Sequence, residues 1–77
     1  MSKQVRKEFM MDANDALTGR IHPQVLVTIV KLPSGAHEVI TNHQDILSKL
    51  SYLIDTYDDE FCIKHNRSVQ IVGYVLV

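Results

Sequence analysis

The sequence predicts an α+β two-layer sandwich, in which two helices lie on one face of a small sheet. Residues 2–18 and 46–57 repeat apolar side chains at helical spacing. Residues 25–32 and 69–77 are nearly continuous runs of Val, Ile and Leu, which is typical of strands buried on both sides. A Pro-Ser-Gly turn at 33–35 predicts a hairpin, so the expected order is α-β-β-α-β, an antiparallel hairpin followed by a helix and a C-terminal strand.

The first helix is predicted from an apolar face that ends just before a glycine. Its apolar positions recur at spacings of four, four, three and one, and they are Val5, Phe9, Ala13, Ala16 and Leu17. Gly19 can take the left-handed conformation that closes a helix, and Pro23 prevents the helix from continuing. We therefore expect helix one to end at Gly19.

The remaining elements follow from turn chemistry and periodicity. Residues 36–41 form the hairpin partner of the first strand, and Asn42 with Asp45 resembles a capping box that starts the second helix. Residues 58–68 show no clear pattern: residues 60–64 fit either a short strand paired with the last strand or an irregular helical turn, and the segment is predicted to be a connection. Gly73 lies inside the last strand, which indicates a β-bulge or a close approach of another backbone.

Composition limits the class of protein. The 77 residues allow one domain, residues 1–77, and a single cysteine excludes an intrachain disulfide framework. No apolar run approaches the roughly 18 residues of a membrane span, so we expect a cytoplasmic protein. Eight basic against nine acidic residues give a nearly neutral chain, which argues against a large nucleic-acid footprint.

Strands that are apolar on both sides require a cover that two helices cannot supply. If Val25, Val27, Ile29, Ile71 and Val75 face the helices, the uncovered side chains are Leu26, Val30, Leu32, Val72, Tyr74 and Leu76. An exposed apolar patch of this size normally marks an interaction site. We expect these residues to cover themselves in a two-fold homodimer. The alternatives are a different partner chain, pairing along an exposed strand edge, and a monomer whose helices straddle both faces.

An acidic group at the end of the second helix is the first candidate for partner binding. It comprises Asp55, Asp58, Asp59 and Glu60, and Tyr52 and Tyr57 are candidate aromatic anchors because tyrosine is enriched in interface hot spots. A solvated face is the simpler interpretation of such a charge run. It is not an EF-hand, because residues 58–69 lack the central glycine and the terminal glutamate.

Other chemistry is weakly indicated. The basic residues Lys3, Arg6, Lys7 and Arg20 could make a modest nucleic-acid contact. Cys62 and His65 have ligand-like spacing, but one such pair is a weak zinc signal, so we predict no metal and no cofactor. No phosphate loop or nucleophile motif occurs, so we predict that the chain is not an enzyme. A ligand pocket between protomers, where His37 and Tyr74 converge, is a third possibility.

In general style the chain resembles the small accessory proteins that bacteriophages encode. The resemblance lies in a compact hairpin-containing sandwich, the segment Thr41-Asn-His-Gln-Asp45 and the acid-rich segment Asp55-Thr-Tyr-Asp-Asp-Glu60. It covers the whole chain without a diagnostic motif, and it implies no particular residue roles. It implies a non-enzymatic, dimeric protein that inhibits or redirects a host protein in the host cytoplasm. The alternatives are a nucleic-acid-binding regulator and a ligand-binding oligomer.

Overall fold

The computed structural model describes residues 2–77, and it has the predicted α+β architecture. The helices and strands, numbered in chain order, are α1 (Ser2–Leu17), β1 (Leu26–Lys31), β2 (His37–Asn42), α2 (Ile46–Thr56), β3 (Cys62–Ile63) and β4 (Asn66–Leu76). The predicted order α-β-β-α-β is confirmed. The segment 58–68, predicted to be a connection, instead contributes the short strand β3 and the first residues of β4.

The strands form one antiparallel sheet with the order β2-β1-β4-β3, so β1 and β4 are central. The chain end is held by this sheet. Val77 N–H donates to the Val25 carbonyl at 3.0 Å, and Val25 N–H donates to the Val77 carbonyl at 3.1 Å. The last strand is therefore anchored through its final residue.

Both helices pack on the same face of the sheet, as predicted. From α1 the core receives Phe9, Ala13 and Ala16, and from α2 it receives Ile46, Leu50 and Leu53. Among the described residues, no helix has both the length and the apolar character needed to cross a membrane. The apolar stripes of both helices thus pack against one layer of sheet side chains.

Aromatic contacts join α1 to the C-terminal half of the sheet. The Phe9 ring lies 5.2 Å from the Phe61 ring and 5.3 Å from the Tyr74 ring, centroid to centroid. Tyr57 packs edge-on against Phe61 at 5.8 Å. Tilted and edge-on pairs at these separations contribute favourably beyond the area that they bury.

The start of α2 differs from the expected capping box. Asn42 is the last residue of β2, and the N-cap is Asp45, which has a left-handed backbone (φ 52°) and no side-chain capping hydrogen bond. The capping-box prediction is therefore wrong, although the helix begins where the apolar periodicity begins. Its stability comes from the buried face rather than from its cap.

The predicted irregularity at Gly73 is a β-bulge. Ile29 pairs with Gly73 and the next residue of β1, Val30, pairs with Ile71, so Val72 is an extra residue in β4. A Cβ at Gly73 would lie 3.3 Å from Ile29 Cδ1, so a larger residue there would require the Ile29 side chain to shift slightly. Because of the extra residue, Ile71 and Tyr74 both face the helices although they are three positions apart.

The predicted assignment of the two sheet faces is wrong for most residues. Leu26 and Val30, expected on the uncovered side, are buried in the core, and Leu32, Tyr74 and Leu76 pack against that core. Val72, on the same predicted list, is the half-buried bulge residue. The residues expected beneath the helices that instead lie on the opposite face are Val25, Val27, Ile29 and Val75.

A signal for the correct faces is present in β1. Lys31 shares a face with Val27 and Ile29, since side chains two residues apart point the same way. A lysine is seldom placed in a core. That face is therefore the one turned away from the helices, and the continuous apolar run concealed the clue.

Among the described residues, one side-chain hydrogen bond ties α1 to β4. The Tyr74 hydroxyl donates to Asp12 Oδ2 at 2.5 Å. Burial, followed by the hydrogen bond to Asp12, raises the pKa of Tyr74 well above its usual value. The phenol therefore stays protonated and remains the donor in this pair.

We predict that Tyr74→Phe lowers the free energy of unfolding by about 1.5–3 kcal/mol, because it removes a hydrogen bond to a charged group. Urea unfolding monitored by circular dichroism measures the change. Tyr52→Phe is the matched control. Tyr52 is 59% exposed, so loss of its hydroxyl should have no measurable effect on the free energy of unfolding. Equal midpoints for Tyr74→Phe and wild type would show that the contact contributes nothing.

Candidate functional site

The most distinctive surface is the sheet face that no helix covers, here called the outer face. Its apolar side chains are Val25, Val27, Ile29, Val39, Val75 and Val77, and Thr41 and Gly73 lie on the same face. The register places them side by side, with Val27 next to Val75 and Ile29 next to Val39. The face is therefore a contiguous layer of β-branched side chains spread over three strands.

The exposure of the outer face increases from its centre to its borders. Val39 is 63% exposed, Val75 51% and Val77 70%, whereas the β1 residues between them are half-buried by their neighbours. Lys31, His37 and Gln70 form one row at the end of the face, so it has a polar border. A contiguous apolar patch with a polar border is typical of an interaction surface.

The acidic residues after α2 mainly organise their own loop. Asp58 Oδ1 accepts hydrogen bonds from the backbone N–H of Glu60 at 2.9 Å and of Cys62 at 3.1 Å. These bonds shape the turn that carries Phe61, a buried residue with φ 62°, into the core. A non-glycine residue in this backbone region is strained, so the turn and the ring burial must hold it in place.

Arginines neutralise much of the same acidic group. Arg67 contacts Asp58 Oδ2 at 2.7 Å and Glu60 Oε2 at 3.1 Å, and Arg6 lies 3.7 Å from Asp59 Oδ1. Burial disfavours the Asp58 carboxylate, but the N–H donors of Cys62 and Glu60, with Arg67, outweigh it and lower the pKa of Asp58. These acids and arginines together line an open depression of about 370 Å³.

Asp55 and the two tyrosines complete the predicted partner-binding set. Asp55 is exposed on α2, and Tyr52 is 59% exposed one turn before Thr56. Tyr57 is only 7% exposed, and burial followed by the charge of Tyr52 raises its pKa. The structure therefore leaves Tyr52 available as an aromatic contact, and the assignment of Tyr57 as an anchor is wrong because its ring belongs to the core.

The basic residues do not converge on one site. Lys3 and Lys7 are exposed on α1, whereas Arg6 contacts Asp59. Arg20 follows the end of this 16-residue helix, which is about 24 Å long at 1.5 Å per residue. The set is thus spread along the whole helix.

The candidates for metal binding and for a ligand pocket do not form a site in the described residues. Cys62 is buried, and its thiol approaches the Glu60 carbonyl at 3.9 Å. Within residues 2–77, no cluster of three or more His, Cys, Asp or Glu side chains could hold a metal ion. His37 lies on the outer face beside Lys31, whereas Tyr74 lies under α1, so these two residues are on opposite faces of the sheet.

A cleft of about 210 Å³ separates α2 from β2 on the helix-covered side. Its mouth is formed by Ile40 and Asn42 of β2 and by Lys49 and Tyr52 of α2. β2 lies beyond the shelter of the helices, since all of its residues except Asn42 are exposed. The hairpin therefore presents apolar side chains on both of its faces, Val39 on one and Ile40 on the other.

Sequence reasoning missed two features of these surfaces. Arg67 is the residue that fixes the acidic loop, and the only available signal was a basic side chain a few positions after the acids. The exposure of both faces of β2 was also missed. Its signal is the low apolar content of His37–Asn42 compared with β1.

Comparisons with family models, with curated proteins and with solved structures found no match to this chain.

We predict that Asp58→Asn reduces the acid sensitivity of folding. Asp58 has a lowered pKa in the folded state, so its stabilisation is complete above the unfolded value of about 3.9 and is lost as pH falls through the folded pKa. Asparagine retains an acceptor for the backbone N–H groups but cannot lose a charge. The free energy of unfolding of the variant should therefore fall less between pH 7 and pH 3.

Urea titrations at both pH values provide the measurement. Asp55→Asn is the control, because Asp55 is an exposed carboxylate on α2 with no ion pair in the described part of the chain. The control should follow the wild-type pH dependence. The same acid-induced loss in Asp58→Asn and wild type would contradict the role given to this carboxylate.

Proposed function

We propose that this protein is a small, non-enzymatic interaction module that works as a homodimer and binds a partner protein. The outer face joins the two copies in this proposal. The single observation that carries the proposal is the contiguous apolar layer of the outer face, on the side of the sheet without helices. Two-fold association places this layer against itself, and closed symmetry leaves no apolar face in water.

The size of the effect supports self-association. Complete burial of a Val or Ile side chain stabilises by roughly 1.5–3 kcal/mol, and these side chains are already about half covered. The layers of two copies together therefore offer on the order of 10 kcal/mol. Joining two molecules costs an estimated 4–15 kcal/mol, and burial of the two outer faces is large enough to offset a cost in the lower half of that range.

The helix side then remains free for a partner protein. Tyr52 offers an exposed aromatic ring and Asp55 an exposed carboxylate three residues later, on the same side of α2. Aromatic residues are the most frequent anchors of protein interfaces. The resemblance to phage accessory proteins suggests the kind of partner, a host protein that the dimer inhibits or redirects.

We predict that Val75→Lys halves the native mass of the assembly, because it places a charge in the outer face beside Val27. Val75 is 51% exposed, so the substitution should leave each copy folded. Leu47→Lys, at an α2 residue that is 48% exposed, is the matched control and should keep the wild-type mass. Analytical ultracentrifugation at micromolar concentration gives the masses.

Circular dichroism of both variants separates loss of association from loss of folding. A folded Val75→Lys variant with the wild-type mass would rule out the outer face as the contact between copies. A wild-type protein that sediments with the 8.8 kDa mass of one chain would rule out self-association altogether.

A further inference from the structure

The free edge of β2 carries backbone groups without partners in the sheet. Val25 and Val77 exchange both of their hydrogen bonds, so alternate residues of β1 direct their backbone groups toward β4. The intervening residues direct theirs toward β2, as the bond from Leu32 N–H to the Ala36 carbonyl at 2.8 Å shows. By the same alternation, three residues of β2 direct their backbone N–H and C=O groups to the free edge, and they are His37, Val39 and Thr41.

Glu38 is the one carboxylate on this edge and acts against strand pairing, but the other common barriers are missing from β2. Within the six residues of β2 there is no lysine, proline or bulge, and the bulges in the sheet lie at β4. Val39 is 63% exposed on one face and Ile40 39% exposed on the other. A regular edge strand that exposes one apolar side chain on each face can act as a template for another strand.

We propose that β2 pairs antiparallel with β2 of a second copy, which makes one eight-stranded sheet across a two-fold axis. The proposal rests on the proposed function, because it adds a second contact to a protein taken to act by self-association. The two contacts use different surfaces of the chain, the edge of β2 and the outer face.

Charge complementarity favours a second copy as the occupant. Glu38 lies on the helix-covered side of β2, opposite Val30. Two central registers of the β2 pair do not place Glu38 opposite Glu38 of the second copy. In these registers Glu38 lies opposite Ile40 or Asn42 of the second copy. Those residues share the cleft mouth with Lys49. Within residues 3–77 of one copy, neither Glu38 nor Lys49 has an ion pair, and pairing β2 strands brings opposite charges together twice.

The small area of the outer face also favours pairing at β2. Three strands spaced about 4.8 Å apart, each about 20 Å long, give one copy a flat footprint of roughly 300 Å². A standard interface buries about 800 Å² per partner. Pairing at β2 makes the outer faces of two copies continuous and doubles that footprint. Two such sheets, packed by their outer faces, form a tetramer with D2 symmetry, and its mass is four times 8.8 kDa.

The decisive experiment uses the Val75→Lys chain, in which the outer contact is removed. This chain should remain a dimer through β2. Adding Glu38→Lys should raise its dissociation constant about tenfold, since like charges then meet at two symmetric positions. Adding Lys49→Glu to that variant should restore the dimer, whereas Lys49→Glu without Glu38→Lys should weaken it. Ultracentrifugation over a concentration series measures each constant.

A second variant tests the backbone contact independently. Val39→Pro removes an outward N–H while leaving the hydrogen bonds to β1, and proline is tolerated at such edge positions. In the Val75→Lys chain it should convert the dimer to a folded monomer.

The outcomes separate the two proposals. A Val75→Lys chain that is monomeric, with a dimeric wild type, overturns pairing at β2 and keeps the outer-face contact. Charge variants without effect, or without restoration in the exchanged pair, also overturn it and leave the edge for an extended segment of another protein. A monomeric wild type overturns both.

Discussion

Two helices can shelter only one face of a sheet, and this constraint determines most of the molecule. α1 and α2 place their apolar stripes over Leu26, Val30 and Ile71, and the opposite layer of valine and isoleucine side chains is left to water. In a larger domain a second helical layer would cover it. Within residues 2–77 no helix lies on that side, so the two faces of the sheet differ in exposure. One face stabilises the fold and the other is available for contact.

The sheltered layer itself depends on a short strained segment. Phe61 holds a positive φ while its ring packs against Phe9 and Tyr57, and Asp58 and Arg67 fix the turn around it. The charges after α2 thus stabilise the position of an aromatic core residue. This role explains why acids stand at the end of a helix, where the helix dipole disfavours them. Their value is in the turn and not in α2.

The fold was predictable from the sequence because helix periodicity and the turn at Pro33–Gly35 are strong local signals. The faces were not predicted correctly, since residues 25–30 are apolar on both alternations except at Thr28, a polar residue that is nevertheless buried. Only Lys31 distinguishes them. The pairing of Arg67 with Asp58 and Glu60 depends on a turn that periodicity does not describe. The candidate sites therefore required the structure, whereas the element order did not.

The bulge at Val72 has a consequence for how this chain can change in evolution. On its N-terminal side β4 directs odd-numbered side chains toward the helices, and on its C-terminal side it directs even-numbered ones, as Ile71 and Tyr74 demonstrate. Deletion of Val72 would reverse the two faces of β4 after the bulge. Tyr74 would then point away from the helices and Val75 would point toward them. Insertions and deletions in β4 should therefore be far less acceptable than substitutions.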